Sequence, residues 1–311
     1  MTHLRANGKL LLTAEYFVLD GVPALAVPTK AGQRFTVSPA KPGAEHDLYW
    51  RAFDVAGERW FSHAFDRHEW MRPPHQAKNQ EEDTATRICQ VLRAAKALRP
   101  GGTNHISGLE VMTHLEFDRK WGLGSSSTLI AMVAEWLEVN PYALLDTTFG
   151  GSGYDLACAV ADGPILYERN GTTPKVTNLD WQPNWLQQTY FVYRNQKQNS
   201  REGIRAYREQ TITNAVKEEI GSITTALLSP TLHLRAAAQL LLRHEAIVAQ
   251  TLGLPTVQEE LFTDFPGQLK SLGAWGGDFI WALSEESPEK VRRYFNERGY
   301  ETVIDYDDMV L

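Results

Sequence analysis

A glycine-rich turn between a strand and an apolar helix constrains this chain more than any other stretch. The segment SGLEVMTHLEF at 107–117 alternates like a half-buried strand, and WGLGSSSTLIAMVAEWLEV at 121–139 continues as a glycine turn and an apolar helix. Glycines let a ligand approach the backbone closely, and the first turn of a helix offers unpaired N–H groups that favour an anion. A capped helix start without a ligand would give the same pattern, so the loop alone leaves both interpretations open.

The spacing within this loop excludes two common nucleotide-binding motifs. A Walker A loop requires Gly-Lys-Ser or Gly-Lys-Thr at a set distance, and GLGSSST at 122–128 has no such sequence. A Rossmann fingerprint requires a third glycine, which is also missing. The consecutive hydroxyl side chains at 125–128 can cap the helix and can also supply a hard oxygen ligand to Mg²⁺.

The remaining pattern predicts an α+β protein. Strands are predicted in the first 65 residues at KLLL, EYFVLD, PALAVPTK, QRFTVSP, LYWRAFDV and ERWFSHAF, with a hairpin turn at Asp20-Gly21. Helical spacing predicts a helix over 79–98 and a mainly helical region from Ser200 to about Phe265. The strand DFIWALS, the helix PEKVRRYFNERG and the strand ETVIDY end the chain, an order typical of an α+β domain.

Length and charge limit the classes of function. At 311 residues the chain is long enough for two domains, and a boundary is predicted near residue 183, where Pro183 and polar residues interrupt the pattern. A net charge of −7 argues against a general nucleic-acid binder, whereas a small anionic substrate needs only a local basic pocket. Because Glu15 and Asp20 interrupt the apolar stretch at 10–28 and no signal pattern precedes it, a cytoplasmic protein without a membrane partner is predicted.

Three separated segments resemble the motifs of the GHMP kinases, the superfamily of galactokinase, homoserine kinase, mevalonate kinase and phosphomevalonate kinase. They are GKLLLTAEYFVLDGVPALAV at 8–27, KWGLGSSST at 120–128 and KSLGAWGGDFIWAL at 270–283, in the family's order. Between the second and third, GSGYDLACAVADGPILYER at 151–169 resembles the segment that carries the family's catalytic aspartate. The matches cover a minority of residues but span the whole chain.

Within the superfamily the chain looks most like the phosphomevalonate kinases, because of Glu15-Tyr16, GSGYDLACAVAD and the ending Gly276-Gly277-Asp278. The resemblance implies a two-domain fold, with a ribosomal-S5-like N-terminal domain (1–183) and a ferredoxin-like C-terminal domain (184–311). It also implies that ATP and a small anionic acceptor bind in the cleft between them, together with Mg²⁺. Mevalonate 5-phosphate is the predicted acceptor, with mevalonate or another metabolite as the alternative; the oligomeric state is left open.

The resemblance assigns roles to individual residues. Asp155 is similar to the family's catalytic aspartate, which accepts or orients the acceptor hydroxyl, and Lys9 is similar to the lysine that neutralises the transferring group. Ser126 is the preferred Mg²⁺ ligand, with Ser125 as a near-equal alternative, and Asp146 is a candidate second ligand. The nucleotide would be held by the loop residues Gly122, Leu123, Gly124, Ser125, Ser126 and Ser127. The substrate side would be formed by Glu15, Tyr16, Gly273, Gly276, Gly277 and Asp278.

One further segment is a candidate site for a phosphate on the acceptor. In NQKQNSREGIRAYRE, Ser200 can cap a helix whose first turn offers free N–H groups, and Lys197, Arg201 and Arg205 bring positive charge close together. An arginine in the first turn opposes the helix dipole, and an anionic ligand would offset that conflict. A solvated basic helix end explains the same residues, so both interpretations stay open.

Two departures from the family pattern keep other classes of function in view. Ala14 stands where a glycine usually precedes the glutamate, and Trp275 occupies a usual glycine position in the third motif. These changes allow a catalytically silent nucleotide-binding protein as an alternative. A hydrolase with Ser152 or Ser126 as nucleophile is a second alternative, although neither serine lies in a GxSxG elbow.

Overall fold

The computed structural model describes residues 1–66, 69, 80–99, 106–196, 200–273 and 277–311, without the side chains of 80–82, 200 and 201. Its strands are β1 (Thr2–Leu11), β2 (Ala24–Pro39), β3 (Leu48–Phe53), β4 (Arg59–Phe65), β5 (Leu109–Leu115), β6 (Ile165–Glu168), β7 (Lys175–Asn178), β8 (Thr189–Tyr193), β9 (Gln268–Leu272), β10 (Phe279–Leu283) and β11 (Val303–Asp305). Its α-helices are α1 (Gln80–Leu98), α2 (Ser125–Trp136), α3 (Pro141–Asp146), α4 (Tyr154–Ala159), α5 (Ser200–Arg208), α6 (Asn214–Leu227), α7 (Leu234–Leu252), α8 (Val257–Leu261), α9 (Pro288–Asn296) and α10 (Tyr306–Met309).

The first sheet is formed by the N-terminal strands in the order β4-β3-β5-β2-β6-β7, with β1 paired to β2. The pairing of β3 with β5 is parallel, and the other pairings are antiparallel. The long strand β2 pairs with β1, β5 and β6, so it links the first motif to the strand that precedes the glycine loop. Apolar residues of α1, α2 and α3 form a buried core with this sheet, including Phe35, Trp50, Leu92, Ile130 and Leu144.

The second sheet is antiparallel, in the order β11-β8-β10-β9. Helix α7 packs on β9, and α6 packs on α7. One continuous apolar core joins this half to the first sheet, since it contains Leu25 of β2 and Trp281 of β10. Because the change of sheet falls near Pro183 while the core continues across it, the domain boundary at 183 stays a prediction.

The predicted α+β class is confirmed, and so are the helix at 80–98, the helical region after residue 200 and the final strand, helix and strand. Two local predictions were wrong. EYFVLD is not a strand: Phe17–Asp20 form a 3-10 helix that ends at Gly21 with φ 82°, and PALAVPTK and QRFTVSP are one strand. Tertiary packing decides here, because Tyr16 and Phe17 lie against Tyr207 of α5 with ring centroids 5.7 and 5.3 Å away.

In the part of the chain that the structure describes, no helix is long and apolar enough to cross a membrane.

The end of α2 allows a test of its backbone geometry. Glu138 has φ 53°, which strains any residue with a Cβ, whereas Glu135 lies in the last turn of the helix. Glu138→Gly is expected to raise the free energy of unfolding by about 1 kcal/mol, and Glu135→Gly to lower it by about 1 kcal/mol. Urea unfolding of both variants checks this, and a loss of stability in Glu138→Gly would contradict the assigned geometry.

Candidate active site

The glycine-rich loop ends in a helix start that has unused backbone donors. Gly122 and Gly124 have φ of 67° and 94°, and Gly124 precedes α2 without a side-chain cap. Leu123 is fully buried, and its carbonyl accepts a hydrogen bond from the Lys9 backbone N–H at 3.1 Å, which ties the loop to β1. The first N–H groups of α2 are therefore positioned to bind an anion.

The other motifs pack against this loop. A Cβ atom on Gly122 would overlap the carboxylate of Asp278, and one on Gly124 would lie 3.2 Å from the Lys9 Cγ. The backbone amide of Arg194, at the end of β8, donates to the Asp278 carbonyl at 2.9 Å, so the third motif reaches the loop from the second sheet. The glycines are thus required by close packing as well as by their backbone angles.

A lysine and an aspartate face each other beside the loop. The Lys9 Nζ lies 3.5 Å from the Asp155 Oδ1, with side-chain exposures of 15% and 20%. The ammonium also lies 5.4 Å from the centre of the Tyr154 ring. Within the described residues, Asp155 Oδ1 is buried and has no hydrogen-bond partner. Apart from this ion pair, the Asp155 carboxylate has unused capacity to accept a hydrogen bond or a proton from a ligand hydroxyl.

Neighbouring groups on α4 do not compete for this chemistry. Burial raises the pKa of the Tyr154 hydroxyl well above its ordinary value, and Asp155 adds to the effect. Burial likewise raises the pKa of the Cys158 thiol well above its ordinary value, again with Asp155 contributing. Both groups therefore stay protonated at neutral pH, and the thiol is a poor nucleophile.

These residues share a cavity of about 330 Å³. The predicted site residues that line it are Lys9, Glu15, Tyr16, Gly122, Leu123, Gly124, Ser125, Ser126, Ser127, Asp155, Gly273 and Asp278. Gly277 and Asp146 are not part of this lining. Lys197 and Gly276 lie outside the described residues, as does Trp275, and so do the side chains of Ser200 and Arg201, which begin α5.

A second cavity of about 690 Å³ adjoins the first, and Arg87, Arg119, Ser125, Ser126 and Phe149 line both. The Arg119 guanidinium stacks on the Trp60 ring, 3.7 Å from its centre. Sequence reasoning missed these two arginines. Arg119 could have been found because it directly precedes the glycine loop in sequence. Arg87 lies on the distant helix α1, and nothing in the sequence indicates that it lines the cavity.

The residues for a magnesium ion fit only in part. Ser126 is exposed in the first turn of α2 and presents a hydroxyl to the cavity. Asp146 instead lies near Arg169, with 3.8 Å between carboxylate and guanidinium, so its role as a ligand stays a prediction. No group of three or more His, Cys, Asp or Glu side chains among the described residues could hold a metal ion. With one hydroxyl from the protein, most ligands of an Mg²⁺ ion would have to come from substrate phosphates and water.

Ala14 keeps the backbone conformation that glycine favours. Its φ is 62°, and Tyr16, two residues later, has φ 65°. The Ala14 N–H donates to His244 Nε2 at 2.8 Å. The backbone at Ala14 therefore costs strain of the order of 1–2 kcal/mol, because this residue has a Cβ.

No protein-family model matches the chain, and no curated protein matches it. Solved structures do resemble it over nearly its whole length. Phosphomevalonate kinase from Streptococcus pneumoniae, in complex with phosphomevalonate and AMPPNP, is 16% identical with a TM-score of 0.67, covering 97% of this chain and 99% of that one. Mevalonate kinase from Methanococcus jannaschii is 14% identical with a TM-score of 0.68, covering 97% and 96%. Galactokinase from Lactococcus lactis, complexed with galactose, is 13% identical with a TM-score of 0.62, covering 97% and 93%.

All three neighbours are GHMP kinases. The two sheets and their helices form the same mixed α+β architecture. The chain therefore has the GHMP kinase fold.

Proposed function

We propose that the chain is an ATP-dependent kinase that transfers the γ-phosphoryl group to a hydroxyl of a small anionic acceptor. The observation that carries this proposal is the Lys9–Asp155 pair beside the uncapped start of α2, in one cavity. Phosphoryl transfer needs bound phosphates, neutralised charge and an oriented hydroxyl more than covalent chemistry by the protein. The cavity offers a group for each need.

In this mechanism the backbone N–H groups at the start of α2 bind the phosphates of ATP. Lys9 neutralises charge on the transferring group, and Arg119 adds positive charge where the two cavities meet, whereas Arg87 is paired with Asp83 at 2.7 Å. Asp155 accepts the hydrogen bond of the acceptor hydroxyl and takes its proton as the new O–P bond forms and the bond to ADP breaks.

The hydroxyl of Ser126 would hold Mg²⁺ together with nucleotide phosphates and water. The ion, when bound, would supply charge neutralisation at the phosphates. Lys9 and Asp155 provide the remaining charge and proton acceptor from the protein itself.

Two alternatives are weakened by the site. The cavity lining, over the described residues, includes no histidine beside Ser152 or Ser126, which a serine hydrolase would require as a base. A silent binding protein was suggested partly by Ala14, yet that residue keeps the glycine-like conformation. Incubation with Mg·ATP and a panel of acceptors tests the proposal: phosphorylated product with ADP supports it, while ATP binding without any product supports the silent protein.

We propose mevalonate 5-phosphate as the acceptor. The support is the resemblance to phosphomevalonate kinases, the likeness to a fold whose solved structure contains phosphomevalonate, and the basic start of α5. Tyr16 lines the cavity, and its hydroxyl lies against Gly203 of α5. The contact is so close that a Cβ on Gly203 would overlap the Tyr16 hydroxyl. The start of α5 is therefore a reasonable place for a phosphate remote from the transferred group.

Lys197→Met and Arg201→Met are expected to raise KM for mevalonate 5-phosphate by about 10-fold or more each, because each would remove a charge-assisted phosphate contact. KM for ATP should change little. Arg208→Met, an exposed position in the last turn of α5, is the matched control. Steady-state kinetics with mevalonate 5-phosphate and mevalonate as acceptors measure this. Equal use of both acceptors, or no effect of either substitution, would favour a mevalonate kinase instead.

A further inference from the structure

A group of buried ionisable side chains lies behind the part of the cavity wall that contains Glu15. This buried charge cluster consists of Glu15, His244, Glu245 and Lys270, and no side chain in it is more than 3% exposed. Glu15 belongs to the first motif, Lys270 to β9, and the other two to α7. The cluster therefore joins the cavity wall to both layers of the second half of the chain.

Lys270 is the only cation of this cluster. His244 Nε2 accepts the Ala14 N–H at 2.8 Å, which requires that nitrogen to be unprotonated, and burial lowers the pKa of His244 well below its ordinary value. The Lys270 Nζ lies 2.5 Å from Glu15 Oε1 and 3.7 Å from Glu245 Oε1. Glu15 thus has the closer contact with the ammonium, and Glu245 has the weaker one.

Two ionised carboxylates against one ammonium would leave an uncompensated negative charge in the interior, which is costly. Both oxygens of Glu245 are buried and lack a hydrogen-bond partner of regular geometry among the described residues, although Ser271 lies beside them. Burial raises the pKa of Glu245 to about 7. The charge of Lys270 lowers this pKa, and the charge of Glu15 raises it further. Burial also raises the pKa of Glu15, but the Lys270 ammonium opposes this from 2.5 Å, against 3.7 Å for Glu245, so we assign the proton to Glu245.

The segment attached to this cluster is strained. Ala14 and Tyr16, on either side of Glu15, both have positive φ, 62° and 65°. Such angles persist only where surrounding contacts enforce them. The enforcing contacts include the Lys270 ammonium on Glu15, the His244 ring on the Ala14 N–H, and the stacking of Tyr16 on Tyr207.

We propose that Lys270 is a positioning residue that holds Glu15 and Tyr16 in the wall of the cavity, and that a proton on Glu245 keeps the Lys270 ammonium on Glu15. When Glu245 loses the proton, its carboxylate competes with Glu15 for the same ammonium, and the strained segment loosens. The segment should therefore be firmly held at about pH 6 and less firmly held at about pH 8.5. The link to the acceptor rests on the proposed function; the proton on Glu245 and the loosening of the segment do not.

Hydrogen–deuterium exchange tests the proposal without depending on catalysis. In the wild type, protection of the segment 11–19, corrected for intrinsic exchange rates, is expected to fall about 10-fold or more from pH 6 to pH 8.5. In Glu245→Gln, which cannot lose a proton, protection should be the same at both pH values. Glu218→Gln, an exposed position on α6, is the control and should behave as the wild type. Equal protection at both pH values in the wild type, or a fall of the same size in Glu245→Gln, would overturn the proposal.

The role of Lys270 has its own variant. Lys270→Met is expected to abolish protection of the segment at both pH values. If this variant does not fold, the double variant Glu15→Gln with Lys270→Met is used in its place, because it removes both charges of the pair. Wild-type protection in the variant that folds would contradict positioning by Lys270.

In kinetic assays, KM for mevalonate 5-phosphate should rise between pH 6 and pH 8.5 in the wild type but not in Glu245→Gln, relative to KM for ATP. If no acceptor is phosphorylated, the proposed function is wrong. The exchange experiment still tests the role of Glu245 and Lys270, because it does not depend on catalysis.

Discussion

Asp155→Asn and Lys9→Met are each expected to lower kcat by at least about 10²-fold while the protein remains folded. The amide of asparagine cannot take the proton of the acceptor hydroxyl, and methionine keeps the length of lysine without its charge. The two groups lie 3.5 Å apart and are only 15% and 20% exposed, so water replaces neither function easily. Steady-state kinetics with ATP and the acceptor measure the loss, and circular dichroism checks the fold.

Matched controls separate this loss from a general effect of removing charge. Asp162→Asn and Lys41→Met make the same chemical changes at exposed positions outside the cavity lining, and they should keep wild-type kcat. Because Lys9 and Asp155 act together, kcat of the double variant should be only slightly below kcat of the less active single variant. Near-native kcat in either single variant would remove that residue from the catalytic assignment.

Gly122→Val is expected to weaken ATP binding by about 10²-fold or more. Gly122 has φ 67°, which a β-branched residue rarely adopts, and its Cβ would overlap the Asp278 carboxylate. The loop would have to move away from the second sheet, and the N–H groups at the start of α2 would lose their alignment. Isothermal titration with ATP measures the affinity of the variant.

The control for this variant is Gly171→Val. Gly171 also has a positive φ, 52°, but a Cβ there would meet nothing within 4 Å. The substitution Gly171→Val therefore imposes similar backbone strain without crowding the loop. It should lower the free energy of unfolding and leave the affinity for ATP unchanged. Unaltered affinity in Gly122→Val would mean that the phosphates bind elsewhere.

The glycine-rich loop of the candidate site could be predicted from sequence because its signals are local. The loop and the helix that follows it form one short stretch whose glycines and apolar residues favour a particular backbone. The resemblance to a family then related Lys9 to Asp155, which are 146 residues apart in the chain, and the structure has their side chains in contact.

The failures have a common physical cause, which is contact between distant residues. EYFVLD is rich in residues that favour strands, yet stacking of Tyr16 on Tyr207 and positive φ at Ala14 and Tyr16 replace the extended conformation. The pair of Glu15 and Lys270 joins residues that are 255 positions apart, and neither residue carries a local sign of burial. Asp146 does not line the cavity, and its role as an Mg²⁺ ligand stays a prediction.

Transfer of labelled phosphate tests the central claim most directly. The wild type, mixed with Mg²⁺, γ-labelled ATP and mevalonate 5-phosphate, is expected to form one labelled acceptor for each ADP released. Asp155→Asn should bind the nucleotide with nearly wild-type affinity but form labelled product at least about 10²-fold more slowly. Failure of the wild type to label this acceptor or any other in a panel of small hydroxyl metabolites, despite tight ATP binding, would contradict the assignment as a kinase.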